Sequence, residues 1–158
     1  MRHPATLAIL TACLGVHAYL AFQTDAARVA FEDTWGLTPA FLATAPTLRE
    51  AATLTTSLFV HASAWSLGAC MLLLAAAGPR VEESLGSVAF LAYYLVSGAV
   101  GGLLVTWQEP GAIVPHLGAW AAVAGVAIAW LALRVNAGQR LKRLAPRTPS
   151  APYAGTAS

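Results

Sequence analysis

Four stretches of this chain contain no Asp, Glu, Lys or Arg: residues 4–24, 51–79, 84–108 and 110–133. Each is long enough for the roughly 20 residues that a helix needs to cross the hydrocarbon core of a bilayer. A charge at the bilayer centre costs about 3 kcal/mol on insertion scales, so clean intervals of this length have a physical cause. The composition agrees. Only 10% of the residues are charged and 58% are hydrophobic, against about 25% charged in a soluble domain. The expected fold is all-α, an integral membrane bundle of four transmembrane helices at about 5–22, 55–77, 87–107 and 113–133.

Arg2 precedes the first apolar stretch, as in a signal peptide, but no small-x-small cleavage site follows it. The stretch is therefore read as a retained first helix. Four spans put the N-terminus, the 78–86 loop and the C-terminal tail on one side. That side holds Arg2, Arg80, Arg134, Arg140, Lys142, Arg143 and Arg147, and the other holds only Arg28 and Arg49. Basic residues stay on the cytoplasmic face. The expectation is a bacterial inner (plasma) membrane location with both termini cytoplasmic. The lipid bilayer accounts for the basic residues, and no nucleic acid is expected as a partner. The domain reading is a transmembrane unit over 1–134 and a tail over 135–158, basic at first and then disordered.

The loops divide the chain. The long outer loop, about 24–53, carries Trp35, Phe41, Pro39 and Pro46. Its segment DAARVAFEDTW reads either as an amphipathic helix in the interface or as irregular chain. In GPRVEESLG, Gly78 and Pro79 are expected to end the second helix and Gly86 to open the third. WQEPG reads as a tight turn before the fourth helix. Small residues recur at four-residue spacing on the last two helices: Ser97 and Gly101, Gly98 and Gly102, Gly118 and Ala122, Ala121 and Gly125. In lipid such faces let helices approach closely, so these positions are assigned to packing.

Three stretches, in this order, resemble the rhomboid family of intramembrane serine proteases. LTTSLFVHAS, residues 54–63, is similar to the start of the family's second core helix, with Thr56, Ser57, Phe59 and His61 in register. GPRVEESLG matches a G-x-x-V-E-x-x-L-G pattern through Gly78, Val81, Glu82, Leu85 and Gly86. GAWAAVAGV, starting at Gly118, resembles G-x-S-G-A-x-x-G, with Gly125 as its last glycine. The resemblance implies that Glu82 anchors the cytoplasmic loop through backbone amides.

The chemistry of the family needs a serine nucleophile, a histidine base and oxyanion donors. At the serine's place this chain has Trp120, and at the next glycine it has Ala121. An indole has no nucleophilic hydroxyl. The family's H-x-x-x-x-H-x-x-x-N pattern is HASAWSLGAC here, keeping His61 but placing Ser66 at the second histidine and Cys70 at the asparagine. The Trp-Arg pair before Thr-Ser is Ala52-Thr53. No histidine follows His116, so the base on the family's sixth helix has no counterpart, and the bundle reads as a rhomboid core lacking helices 5 and 6. The Trp120 ring is expected to fill the cavity that a substrate would occupy.

The remaining polar residues give little chemistry. His61 and His116 are expected near the outer helix ends, bonded to the first loop; two histidines without a Cys or carboxylate are not a metal site. His17 lies mid-span and is read as a packed histidine rather than a pigment ligand. Ser57 and His61 form an i, i+4 pair, which is more often helix surface chemistry than a dyad. Cys13 and Cys70 fall inside spans, so no disulfide framework and no cofactor are expected. The expected function is a catalytically inactive rhomboid-like protein that binds other transmembrane helices, a second copy or a membrane complex. The alternative is an active intramembrane serine protease with non-standard residues.

Overall fold

A computed structural model of the 158-residue chain describes residues 3–144, with side chains described over 3–136. Among the described residues the fold is all-helical, apart from one isolated antiparallel bridge between Leu37 and His116. The elements are α1 (Pro4–Ala21), α2 (Asp25–Trp35), α3 (Pro39–Thr44), α4 (Leu48–Thr56), a 3-10 turn (Ser57–Phe59), α5 (Ala64–Leu85), α6 (Ser87–Gln108) and α7 (Trp120–Leu144). Among the described residues, α1, α5 and α6 are long and apolar enough to cross a membrane, and α7 adds a shorter apolar segment, Trp120–Asn136.

Several boundaries differ from the sequence reading. The second span, placed at 55–77, is α5 and begins at Ala64, because a 3-10 turn at Ser57–Phe59 and a non-helical stretch at 60–63 precede it and Ser63 caps its start, the Ser63 Oγ accepting the Ser66 N–H at 3.2 Å. Gly78 and Pro79 do not end it. The helix runs through Pro79 to Leu85. Proline is tolerated in a membrane helix when neighbouring groups satisfy the loosened turn. Pro79 leaves the Ala75 carbonyl without its usual N–H donor, and the neighbouring Ala76 carbonyl accepts from Arg80 Nη1 at 2.8 Å. The helix stops instead at Gly86, whose φ of 82° is a left-handed conformation that glycine adopts freely, and α6 starts at the next residue.

The fourth span, placed at 113–133, starts late. The expected tight turn is present at Pro110 and Gly111, closed by the Ala112 N–H on the Glu109 carbonyl at 3.0 Å, but residues 112–119 follow it as a non-helical connector and α7 begins only at Trp120. Gly118 therefore lies outside the helix and does not pack with Ala122 across a helical face. At its far end α7 passes the expected limit at Arg134 and carries Arg140, Lys142 and Arg143 to Leu144. The segment expected to be disordered, 145–158, lies outside the described residues. The segment Asp25–Trp35 does form a helix, capped by Thr24, whose Oγ1 accepts the Ala27 N–H at 3.3 Å.

The core lies between α1, α5, α6 and α7. Phe90, Tyr94, Leu74, Val81, Cys13 and Val126 are fully enclosed. Lipid tails are as apolar as leucine, so this packing is held by dispersion and shape rather than by escape from water. Small residues make the close fit possible. Gly101 packs against the Ala121 Cβ, Gly98 against the Leu58 side chain, and Gly125 faces Ser97, whose Oγ is 2.7 Å from where a Cβ would stand. Gly102 receives Leu37 and Leu54, and Ala122 has no exposed surface. The small faces of α6 and α7 are thus consumed within the chain.

Cys13 and Cys70 are both free and buried. Glu82 is 2% exposed. Its carboxylate accepts the Ala5 N–H at 2.9 Å, the Thr6 N–H at 2.8 Å, the Thr6 hydroxyl at 2.6 Å and the Ser87 hydroxyl at 2.7 Å. It does bind backbone amides, but they belong to the first turn of α1 and not to a loop. A carboxylate there satisfies orphan N–H groups and complements the positive end of the helix dipole.

Candidate functional site

The start of α7 is set by bonds from distant chain. The connector is held to the first loop by the Leu37–His116 bridge, with His116 N–H to Leu37 O at 2.7 Å and Leu37 N–H to His116 O at 3.1 Å. The Ala40 N–H adds a bond to Ala112 O at 3.0 Å. Gly118 then turns the backbone with φ 109° and donates its N–H to the Ser57 carbonyl at 3.0 Å. Two residues later the helix begins, so Trp120 is its first residue.

This turn brings the substituted positions together. A Cβ built on Gly118 would lie 3.4 Å from Trp120 Cδ1, 3.6 Å from Trp120 Nε1 and 3.7 Å from Ser66 Oγ. The indole and the serine hydroxyl therefore meet over one glycine. Cys70 follows Ser66 by one turn of α5, is fully buried, and has the Ala119 backbone against its thiol. Ala121 faces away, onto Gly101 of α6. Three of the four substituted positions converge at the mouth of α5 and α7, and the fourth joins the α6–α7 packing.

Beside them is a cavity of about 140 Å³. Ser57, Leu58, Gly98, His116, Trp120 and Ala121 are among its walls. Trp120 does not fill it. The ring stands at the rim, with 48% of its surface exposed. The late start of α7 is the reason: the first residue of a helix has no preceding turn over which to fold its side chain inward.

The histidines also differ from expectation. His61 stands just before α5, at the helix end as expected, but it is 1% exposed, so its ring is enclosed by the protein. It lies beside the Phe59 carbonyl, yet neither ring nitrogen completes a hydrogen bond among the described residues. Ser57 and His61 are not an i, i+4 helical pair, because the 3-10 turn ends between them. His116 is tied to the first loop, but through its backbone. That it shares the cavity wall with Ser57 was not legible in the sequence, where the two are far apart. Among the described residues, no three His, Cys, Asp or Glu side chains group as a metal set.

A family model described as the Rhomboid domain matches residues 48–153. The chain belongs to the rhomboid family. The match takes in α4 to α7, and hence Ser66, Cys70, Trp120 and Ala121. Neither a curated protein nor a solved structure matches the chain. Of the positions on which the resemblance rested, Glu82 and Gly86 shape helix ends, Gly118 shapes the turn into α7, and Gly125 packs α7 on α6.

Proposed function

We propose that this protein is a non-catalytic rhomboid, a pseudoprotease that holds other transmembrane helices or serves as an accessory subunit of a membrane complex. One observation carries the reading. The place of the nucleophile is occupied by Trp120, with its indole beside Gly118, and an indole cannot form an acyl-enzyme. Cys70, at the place of the asparagine, is enclosed in the bundle.

A partner helix has a face to meet. The small residues of α6 and α7 are already packed, but those of α1 are not. Ala8, Thr11, Ala12 and Gly15 are all exposed along one side of α1, and nothing lies within 4 Å of a Cβ built on Gly15. Spacings of three and four residues keep them on one stripe, and small stripes allow close helix contact in lipid. By the positive-inside rule the protein sits in a plasma membrane with both termini cytoplasmic.

The competing reading is a residual serine hydrolase, favoured by one observation: Ser57 and His116 line the same cavity. A fluorophosphonate probe separates the two. The pseudoprotease remains unlabelled in membranes, whereas labelling abolished by Ser57→Ala makes it an enzyme. Gentle detergent extraction and mass spectrometry then test the partner. Co-elution of a second membrane protein, or of a dimer, supports the subunit role, and a clean monomer removes it.

A further inference from the structure

Two arginines from different helices converge on one tryptophan. The Arg134 Cζ lies 4.2 Å from the Trp130 ring centre, and the Arg80 Cζ lies 5.9 Å from it. The guanidiniums are therefore no farther apart than the sum of those distances. Arg80 belongs to α5, Trp130 and Arg134 to α7, and these two helices pack along each other. Like charges gathered around one ring repel, and the attraction of each to the indole offsets only part of that repulsion.

Among the described residues neither arginine is paired with a carboxylate. Among the described residues the ion pairs are His3–Glu83 and Arg28–Glu32, and residues 137–158 contain no Asp or Glu. Arg80 spends one donor on the Ala76 carbonyl at 2.8 Å. A guanidinium has five N–H donors, so both keep several free. Both residues are exposed. The indole Nε1 of Trp130 is a further buried donor without a partner among the described residues. The cluster thus offers donors and positive charge, and no acceptor.

Its depth is set by the sequence. Arg80 is the first charge after the uncharged run 51–79, and Arg134 is the first after 110–133. Each stands where an apolar helix leaves the hydrocarbon, which is the level of lipid phosphates. The guanidinium fork matches phosphate oxygens two at a time.

We propose that Arg80, Trp130 and Arg134 form a binding site for the phosphate of an anionic phospholipid, between α5 and α7 at the membrane boundary. The lipid phosphate bridges the two guanidiniums, and its acyl chains lie along the apolar faces of the same helices. The site relieves the repulsion between the arginines and clamps α5 to α7 at the end remote from Trp120.

The test is native mass spectrometry of the full chain with equal amounts of phosphatidylglycerol and phosphatidylcholine. The expected result is several-fold greater retention of phosphatidylglycerol. Arg80→Gln with Arg134→Gln should bring the two lipids to near parity. Arg134→Lys, which keeps the charge and loses the planar fork, should reduce the preference and covers the case in which the double variant does not fold. Neutralising Arg140, Lys142 and Arg143 together should leave most of the preference. Equal retention of both lipids by the unaltered chain overturns the proposal, as does a preference unchanged by Arg134→Lys or lost with the tail residues alone. Displacement of phosphatidylglycerol by millimolar inorganic phosphate makes this a free-anion site and overturns the lipid assignment.

Discussion

Thr6 and Glu82 are joined twice through one oxygen. The Thr6 N–H and hydroxyl both donate to Glu82 Oε2, at 2.8 and 2.6 Å. The Ala5 N–H and the Ser87 hydroxyl occupy Oε1. One buried carboxylate thus ties the start of α1 to the junction of α5 and α6. Removing it strands four donors. Glu82→Ala should lower the unfolding free energy by about 4 kcal/mol or more, since each of the four unsatisfied donors costs about 1–3 kcal/mol. Thr6→Val loses only the hydroxyl bond and should cost about 1.5 kcal/mol, in the range of bonds to charged groups. Denaturant unfolding in micelles measures both, and equal losses would show that Glu82 acts mainly through the Thr6 hydroxyl.

Two glycines separate internal packing from external contact. At Gly101 any Cβ meets that of Ala121, whereas at Gly15 nothing is near. Gly101→Val should destabilise the α6–α7 pair by about 1–3 kcal/mol, the usual range for overpacking. Gly15→Leu should leave stability intact or slightly raised, because glycine is a poor helix residue. It should instead release whatever co-purifies with the native chain. Stability is read by unfolding and association by size in detergent; a partner that survives Gly15→Leu does not bind the α1 stripe.

Gly118 holds φ at 109° and has its N–H on Ser57. Space is available for a methyl group there, with the nearest atom at 3.4 Å, so conformation decides the outcome. Gly118→Ala should cost about 1–3 kcal/mol of backbone strain. The loss should appear as faster amide exchange in residues 115–120, before any change in α5. Uniform exchange rates across the bundle would contradict a local role.

Trp120→Ser restores a hydroxyl at the place of the nucleophile. Groups that act as a unit do not recover one at a time, and Ser66 and Cys70 stay where donors are needed. The variant should cut no transmembrane reporter peptide and take up no fluorophosphonate. Cleavage by Trp120→Ser would overturn the inactive reading.

The membrane character and the helix order were legible because charge exclusion from hydrocarbon is local. Each uncharged run reports its own depth, whatever the rest of the chain does. That Trp120 offers no nucleophile was legible for a similar reason: an indole lacks a hydroxyl in any fold. The helix limits were less so. Pro79 looked like a terminator because proline breaks helices in water, whereas in α5 it is carried by the surrounding bundle.

What tertiary structure alone decided is where distant residues meet. Gly118 follows a normal-looking helical pattern, but its bond to Ser57 and the Leu37–His116 bridge delay α7 until Trp120. That delay leaves the indole at the rim of the cavity and not inside it. Thr6 finds Glu82, and Arg80 finds Trp130 and Arg134, only because helices far apart in sequence are packed side by side. Periodicity and charge act along one helix; close packing and hydrogen bonding act between helices, and only the assembled bundle brings those partners within reach.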